Sequence, residues 1–351
     1  KQVDGTTPIY DMALSFMASS DDPISGGRHK VIGSKLLNVP PQTSTIASHL
    51  PKAVGMAFSI DRAKDLKISD HRAKTNSIVL CSFGDASVNH ATALSAFNTA
   101  SWITNRGGHV PIVFICEDNG LGISVKTDDN WIENNFKSKP GINYIKTDGL
   151  NIIDLIINSK KVEKNCRINR SPIFLHMKTV RLMGHAGSDI EIGYRALKDV
   201  ESNEFNDPLL HSARILINNK CLPKEDILKL YELSRERVNH IFNESTERPK
   251  LLNNNQVMSS ITANAYSYKS PKYPSLESRK KLFGKEFNRL KQPQHMAKLI
   301  NYALSDILLQ YENTLIFGED VAEKGGVYNV TADLQNRFGS RRVFDSPLDE
   351  T

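Results

Sequence analysis

An aspartate follows directly on a short β-branched apolar run, in Gly84-Asp85-Ala86-Ser87, and a helical stretch comes after it. A carboxylate at the carboxyl tip of a strand, beside free helix N–H groups, can hold a divalent cation while the helix start receives the phosphates attached to that cation. On this motif alone Asp85 reads as an N-cap. The next apolar run, Pro111–Cys116, ends in Glu117-Asp118-Asn119-Gly120 and places an amide at a neighbouring tip. Two oxygen-bearing side chains at adjacent tips, with backbone carbonyls beside them, make a Mg²⁺ site that carries a diphosphate. His185 lies in Arg181-Leu182-Met183-Gly184-His185-Ala186-Gly187-Ser188-Asp189, just after the run Pro172–Val180. An imidazole titrating near neutral pH suits proton donation. The other nine of the ten histidines read as ordinary surface residues. Gly27 to Lys35 superficially suggests a P-loop. Five residues separate its glycines, its Lys follows Ser instead of preceding it, and no strand leads into it, so that reading is rejected.

The elements that must position these groups alternate. Asn76–Phe83 suits a strand buried on both faces, and Ser87–Thr104 a helix packing through Ala93, Leu94, Phe97 and Ala100. Strands are expected at Pro111–Cys116, Asn143–Thr147 and Pro172–Val180, with a helix over Ile152–Asn165. Such alternation predicts an α/β fold, a parallel sheet flanked by helices, and ligands beyond the carboxyl ends of its strands. Pro223–Phe242 is amphipathic and helical and could close a domain. Residues 246–294 have the Asn, Ser, Pro and Lys of a linker, and a new unit opens at 295 with a helix over Met296–Tyr311, a strand at Thr314–Phe317 and a Gly325-Gly326 turn.

The 351 residues fit two domains at about 150 residues each. With 39% hydrophobic and 24% charged residues the chain is neither collagenous, nor membrane-embedded, nor wholly disordered. Its net charge of +6 is local: residues 269–291 hold eight Lys and Arg against two Glu, an excess that equals the total. A basic pI therefore gives no support for nucleic-acid binding. Four scattered cysteines without metal-ligand spacing read as free thiols in a reducing compartment. No apolar run approaches the roughly 20 residues of a membrane span. The chain starts at Lys1 without Met and stops at Thr351 after an acidic pair. Both ends read as cut, so a missing targeting signal carries no weight, and a cytoplasmic protein is expected.

The order G-D-G, helix, strand, N-N is the thiamine diphosphate fingerprint, written here as Gly84-Asp85-Ala86 and Glu117-Asp118-Asn119. The surrounding residues resemble the E1 component of 2-oxo acid dehydrogenases, the heterotetrameric type with α and β subunits. The resemblance implies a thiamine diphosphate-binding fold, with Asp85, Asn119 and the Leu121 carbonyl as Mg²⁺ ligands and Gly84, Ala86 and Ser87 at the diphosphate. Three departures stand out: Ala86 replaces the third Gly, Asp118 replaces the first Asn, and the spacer is several residues longer near Asn105–His109. None removes an oxygen ligand. In Thr43–Ala57, similar to the branched-chain E1 α segment, Ser44 and Ile46 would contact the aminopyrimidine. Thr45 and His49 stand where branched-chain enzymes hold potassium, which argues against that ion. The Arg181–Asp189 stretch resembles the E1 α loop whose histidine, here His185, acts on substrate and in lipoyl transfer. Ala186 and Gly193 occupy the positions of regulatory phosphoserines, so no such switch is expected.

Phe317-Gly318-Glu319-Asp320 and Arg342–Glu350 resemble the opening of E1 β. There Glu350 would hydrogen-bond N1′ of the aminopyrimidine and promote removal of the C2 proton, with Glu319 as companion acid; without the motif Glu350 reads as a surface acid. The resemblance thus implies an α-type region over 1–245 that is truncated at its N-terminus, a basic flexible linker over 246–294, and the start of a β-type, pyrimidine-binding α/β domain over 295–351. The implied activity is oxidative decarboxylation of a 2-oxo acid, branched-chain or pyruvate, with acyl transfer to a lipoyl-bearing E2. A homodimer of the fused chain is expected, with no nucleic acid and no membrane. The alternatives are another thiamine diphosphate enzyme of the acetoin dehydrogenase or transketolase kind, and a non-catalytic Mg²⁺-phosphate-ligand-binding protein.

Overall fold

In the computed structural model, residues 4–42, 44–68, 73–261 and 273–348 are described. The chain divides into two compact units, Lys1–His49 with Asp148–Leu155 and Thr179–Tyr268, and Leu50–Thr147 with Ile156–Lys178 and Lys269–Thr351. It is a mixed α/β protein with a parallel sheet flanked by helices, as the alternation predicts. Among the described residues eight strands are formed: β1 (Val79–Gly84), β2 (Ile112–Asp118), β3 (Leu121–Gly122), β4 (Val125–Lys126), β5 (Asn143–Asp148), β6 (Ile173–Lys178), β7 (Ile316–Gly318) and β8 (Val343–Asp345).

The main sheet has the order β1-β2-β6-β5. Parallel pairing sets Gly84 opposite Glu117 and Asp118 opposite Lys178, so the carboxyl ends of three strands finish level. Because side chains alternate along a strand, each face collects its own core. Phe83, Phe114 and Phe174 lie on one face and meet Phe97, from the helix Ala91–Asn105, and Phe136. The Phe97 and Phe114 rings are 5.0 Å apart edge to face, and Phe136 stacks on Phe174 at 3.9 Å. On the other face Val113, Ile173 and Leu175 pack against Val162 and Cys166 of the helix Ile152–Asn169. Cys81, Cys116 and Cys166 are buried free thiols, and Cys221 is an exposed one. Burial pushes the Cys81 thiol up to about 12 and that of Cys166 to about 11.

Three local expectations change. β1 stands at one end of the sheet order and buries one face only, with Leu80 65% exposed. The helix expected from Ser87 begins at Ala91, because Asp85–Asn89 forms a 3₁₀ turn and the His90 ring accepts the Thr92 N–H as N-cap. The 246–294 stretch carries helices at Asn254–Met258 and Leu276–Phe283 and a 3₁₀ turn at Gly284–Lys291, with Phe283 buried against Tyr302.

Beyond it the helix Met296–Gln310 and the parallel pair β7–β8 enclose Leu308, Leu334 and Val343. Arg342 donates to the carbonyls of Leu308 and Thr314, fixing the turn between that helix and β7. The Phe344 ring meets Phe58 of the helix His49–Asp65 at 5.6 Å, and Arg62 stacks on both rings. In the other unit the helices Pro8–Phe16 and Lys224–Thr246 pack together through Phe16 and Phe242. Ser19 and Ser20 both donate to the Pro249 carbonyl.

The helix His49–Asp65 is tied to the sheet by a forked pair: Arg170 Nε and Nη2 donate to the two oxygens of Asp61 at 3.0 and 2.8 Å, and its Nη1 donates to the Ser77 carbonyl. Both side chains are largely buried, so removing Arg170 leaves a buried Asp61 with His109 Nδ1 at 2.9 Å in place of the forked pair. Arg170→Ala is expected to lower unfolding stability by about 3 kcal/mol, read from the midpoint of urea denaturation.

Candidate active site

The expected cation and diphosphate residues converge at the carboxyl ends of β1 and β2. Gly84 ends β1 in extended conformation, and Asp85 starts the 3₁₀ turn with its carboxylate fully buried. Thr127 Oγ1 donates to Asp85 Oδ2 at 2.6 Å, and the backbone N–H groups of Asn119 and Asp85 itself also face this carboxylate. Burial pushes the Asp85 carboxyl up from its ordinary value, the Thr127 bond works against this, and the nearby charge of Asp118 pushes it up further. Among the described residues no Lys or Arg pairs with Asp85.

Asn119 follows β2 in a tight turn. Its Oδ1 accepts the Leu121 N–H at 3.0 Å, which leaves one lone pair of that oxygen for a ligand. Leu121 then enters the β3–β4 hairpin, which Thr127 closes by donating its N–H to the Gly120 carbonyl at 3.0 Å. Gly122 of that hairpin passes so close to the 3₁₀ turn that a Cβ there would lie 2.8 Å from the Ala86 methyl. Ala86 in place of the family's glycine is thus matched by a glycine across from it.

The residues present fit a hard, hydrated dication carrying a diphosphate. The donor set is all oxygen: a carboxylate, an amide and a backbone carbonyl. A buried carboxylate without a cation is the group such an ion completes. Gly84 is exposed, and a Cβ added there would meet nothing within 4 Å, so space is open over the strand tip. Groups of three or more His, Cys, Asp or Glu that could bind a metal are absent among the described residues, and the set above, with one carboxylate, is not of that kind.

Asp118, which stands where the fingerprint has an Asn, is 5% exposed and fully partnered. Its Oδ2 accepts from His176 Nε2 at 2.6 Å and from Lys178 Nζ at 2.7 Å, and its Oδ1 accepts the Gly120 N–H at 3.1 Å. Tyr144 Oη bonds His176 Nδ1 at 2.6 Å, completing a chain across β5, β6 and β2. His176 is 3% exposed, which corrects its reading as a surface histidine. Burial would raise the Asp118 carboxyl, but the bonds from His176 and Lys178 outweigh it and hold it at about 2. Reasoning from the sequence missed Thr127, Tyr144, His176 and Lys178. The available signal was a histidine inside the apolar run Ile173–Lys178, where a buried imidazole must find a partner.

Ser44 and Ile46 belong to the first unit; Ser44 Oγ bonds His29 Nε2, and Ile46 is exposed. His185, also in that unit, is exposed on a loop whose spacing has a local cause. Its backbone N–H donates to Asp189 Oδ2 at 2.7 Å, Tyr194 Oη donates to the same oxygen, and a Cβ on Gly184 would lie 2.8 Å from the Asp189 carbonyl oxygen. Arg181 Nη2 donates to Tyr194 Oη and to Glu191. Glu319 directly follows the end of β7 and is half-buried. Glu350, like Thr43 of the aminopyrimidine segment, lies outside the described residues.

Comparison with known proteins places the chain in a family. The family described as "Dehydrogenase E1 component" matches residues 3–253, and the chain belongs to that family. Three relatives illustrate the similarity. The chain is 27% identical over 196 residues to the mitochondrial pyruvate dehydrogenase E1 component subunit alpha of Dictyostelium discoideum, covering 55% of this chain and 48% of the relative. It is 25% identical over 235 residues to the mitochondrial 2-oxoisovalerate dehydrogenase subunit alpha of Mus musculus, covering 66% and 50%. To the pyruvate dehydrogenase E1 component subunit alpha of Rickettsia typhi it is 28% identical over 267 residues, covering 73% and 74%. The chain spans about half the length of the first two relatives. No helix among the described residues is long and apolar enough to cross a membrane.

Two outcomes follow. The Asp118 carboxyl sits lower in the folded chain than its ordinary 3.8, so its contribution is complete above about pH 4 and is lost as pH falls toward 2. Wild type should exceed Asp118→Asn by about 2 kcal/mol at neutral pH, a gap that closes over that acid range in denaturation curves. Gly122→Ala should cost about 1–3 kcal/mol in thermal unfolding, and the double variant with Ala86→Gly should recover most of it.

Proposed function

We propose that this chain is the α-type region of a thiamine diphosphate-dependent 2-oxo acid dehydrogenase E1, joined through 246–294 to the opening of a β-type region at 295–351. The observation that carries the reading is the buried carboxylate of Asp85, with no Lys or Arg paired to it among the described residues, beside Asn119 at level tips of parallel strands. Asp85, Asn119 and the Leu121 carbonyl would hold Mg²⁺, and Gly84, Ala86 and Ser87 would receive the diphosphate. Bound thiamine diphosphate supplies the electron sink for loss of CO₂ from a 2-oxo acid. Thr127 holds Asp85 in one rotamer by its hydrogen bond, and the Asn119 turn presents the amide and the next carbonyl on a short arc.

His185 is proposed as the proton donor toward substrate and in acyl transfer to a lipoyl-bearing E2. Its backbone is pinned to Asp189 while its ring stays exposed, which suits a group that must meet an incoming arm. Glu350 is proposed to activate the aminopyrimidine with Glu319 as companion, and Ser44 and Ile46 to contact that ring. The names of the relatives include both pyruvate and 2-oxoisovalerate dehydrogenases at similar identity, so the substrate is a 2-oxo acid without a choice between them. A homodimer of the joined chain belongs to the same proposal.

Calorimetry tests the reading. Thiamine diphosphate should bind the chain only with Mg²⁺ present, and Asp85→Ala should abolish that binding. Equal binding by the variant, or binding indifferent to Mg²⁺, would leave the non-catalytic phosphate-binding alternative.

A further inference from the structure

The face of the sheet that carries the phenylalanine cluster becomes polar toward the carboxyl ends. Phe174 and His176 alternate onto that face of β6, and Phe114, Cys116 and Asp118 onto that face of β2. Tyr144 on β5 continues it, its ring stacked 6.3 Å from Phe174. The result is a line of side chains, Tyr144 to His176 to Asp118, that runs under the turn bearing Asn119.

The bonds define how the line works. Asp118 as a carboxylate only accepts, so His176 Nε2 carries the proton, and Nδ1 is left to accept from Tyr144 Oη–H. The other Asp118 oxygen holds the Gly120 N–H, the link immediately after Asn119. The Asn119 side chain then folds over to the Leu121 N–H. With χ1 and χ2 of Asp118 fixed at one oxygen by His176 and Lys178, the second oxygen sets the height of Gly120, and thereby where the Asn119 amide and the Leu121 carbonyl come to lie.

We propose that His176 is a positioning residue for the cation site, acting through Asp118 on the Asn119–Leu121 turn, with Tyr144 holding the imidazole in its working tautomer. This rests on the assignment of Asn119 and Leu121 as Mg²⁺ ligands given above. It adds a requirement specific to this chain: an aspartate at 118 needs a donor at 176.

The test uses the 351-residue chain and two readouts, Mg²⁺-dependent thiamine diphosphate binding by calorimetry and amide hydrogen exchange without ligand. In His176→Leu the buried donor is gone, and the half-exposed Lys178 still reaches Asp118 Oδ2. Affinity should fall about tenfold or more, and the Gly120 and Leu121 amides should exchange about tenfold faster, while the Phe114 amide stays as in wild type. His176→Gln can place an N–H near the Nε2 position and should restore both readouts to within about threefold. A merely structural role would not separate these variants. Tyr144→Phe, which keeps the ring packing, should give an intermediate loss and serves if His176→Leu does not fold.

Unchanged Gly120 exchange in His176→Leu, or no rescue by Gln, overturns the proposal. If wild type shows no Mg²⁺-dependent binding, the ligand assignment fails. Unchanged Gly120 and Leu121 exchange in His176→Leu would then overturn the turn-fixing role as well, and faster exchange would uphold it.

Discussion

Two carboxylates are buried side by side at the carboxyl ends of neighbouring parallel strands, and their charge must be answered within the site. Asp118 has its answer in the protein, from His176 and Lys178. Among the described residues Asp85 is met by a hydroxyl and backbone amides. The pair therefore divides the labour: one carboxylate is spent on holding the turn, and the other is kept short of positive charge. Hydrogen bonds alone leave Asp85 partly uncompensated, and burial together with the neighbouring charge of Asp118 raises its carboxyl above the ordinary value. Strand register enforces the arrangement, since pairing Gly84 with Glu117 keeps the two tips from sliding apart.

Much of this was legible in the sequence, for identifiable reasons. Strands and helices of the sheet announce themselves through β-branched runs and spaced alanines, and Asp85 and Asn119 are visible because each follows such a run directly. The one-sided burial of β1 was not legible, because an apolar run does not say whether a strand is flanked on one side or both. Nor was the helix start at Ala91. Ser87 is a fair cap by type, but the 3₁₀ turn at Asp85–Asn89 delays the helix and hands the cap to His90. The line from Tyr144 to Asp118 escaped notice because its members come from three strands far apart in the chain, and only pairing brings them together.

The departures from the family pattern turn out to be locally consistent. Ala86 faces Gly122, and Asp118 faces His176, so each unusual residue has a neighbour that accommodates it. Compensation of this kind, within one packed layer, is how a site can drift in sequence while its oxygen donors stay in place. The 246–294 stretch is also more than a tether, since it carries the helix Leu276–Phe283 and buries Phe283 against Tyr302.

The cysteines carry a practical consequence. Three thiols lie inside the sheet and its helices, where burial keeps them protonated, and Cys221 alone is exposed. An alkylating or fluorescent reagent at neutral pH would mark the folded chain at a single position near the start of the helix Lys224–Thr246. The number of marked thiols then becomes a direct reading of whether the sheet has opened.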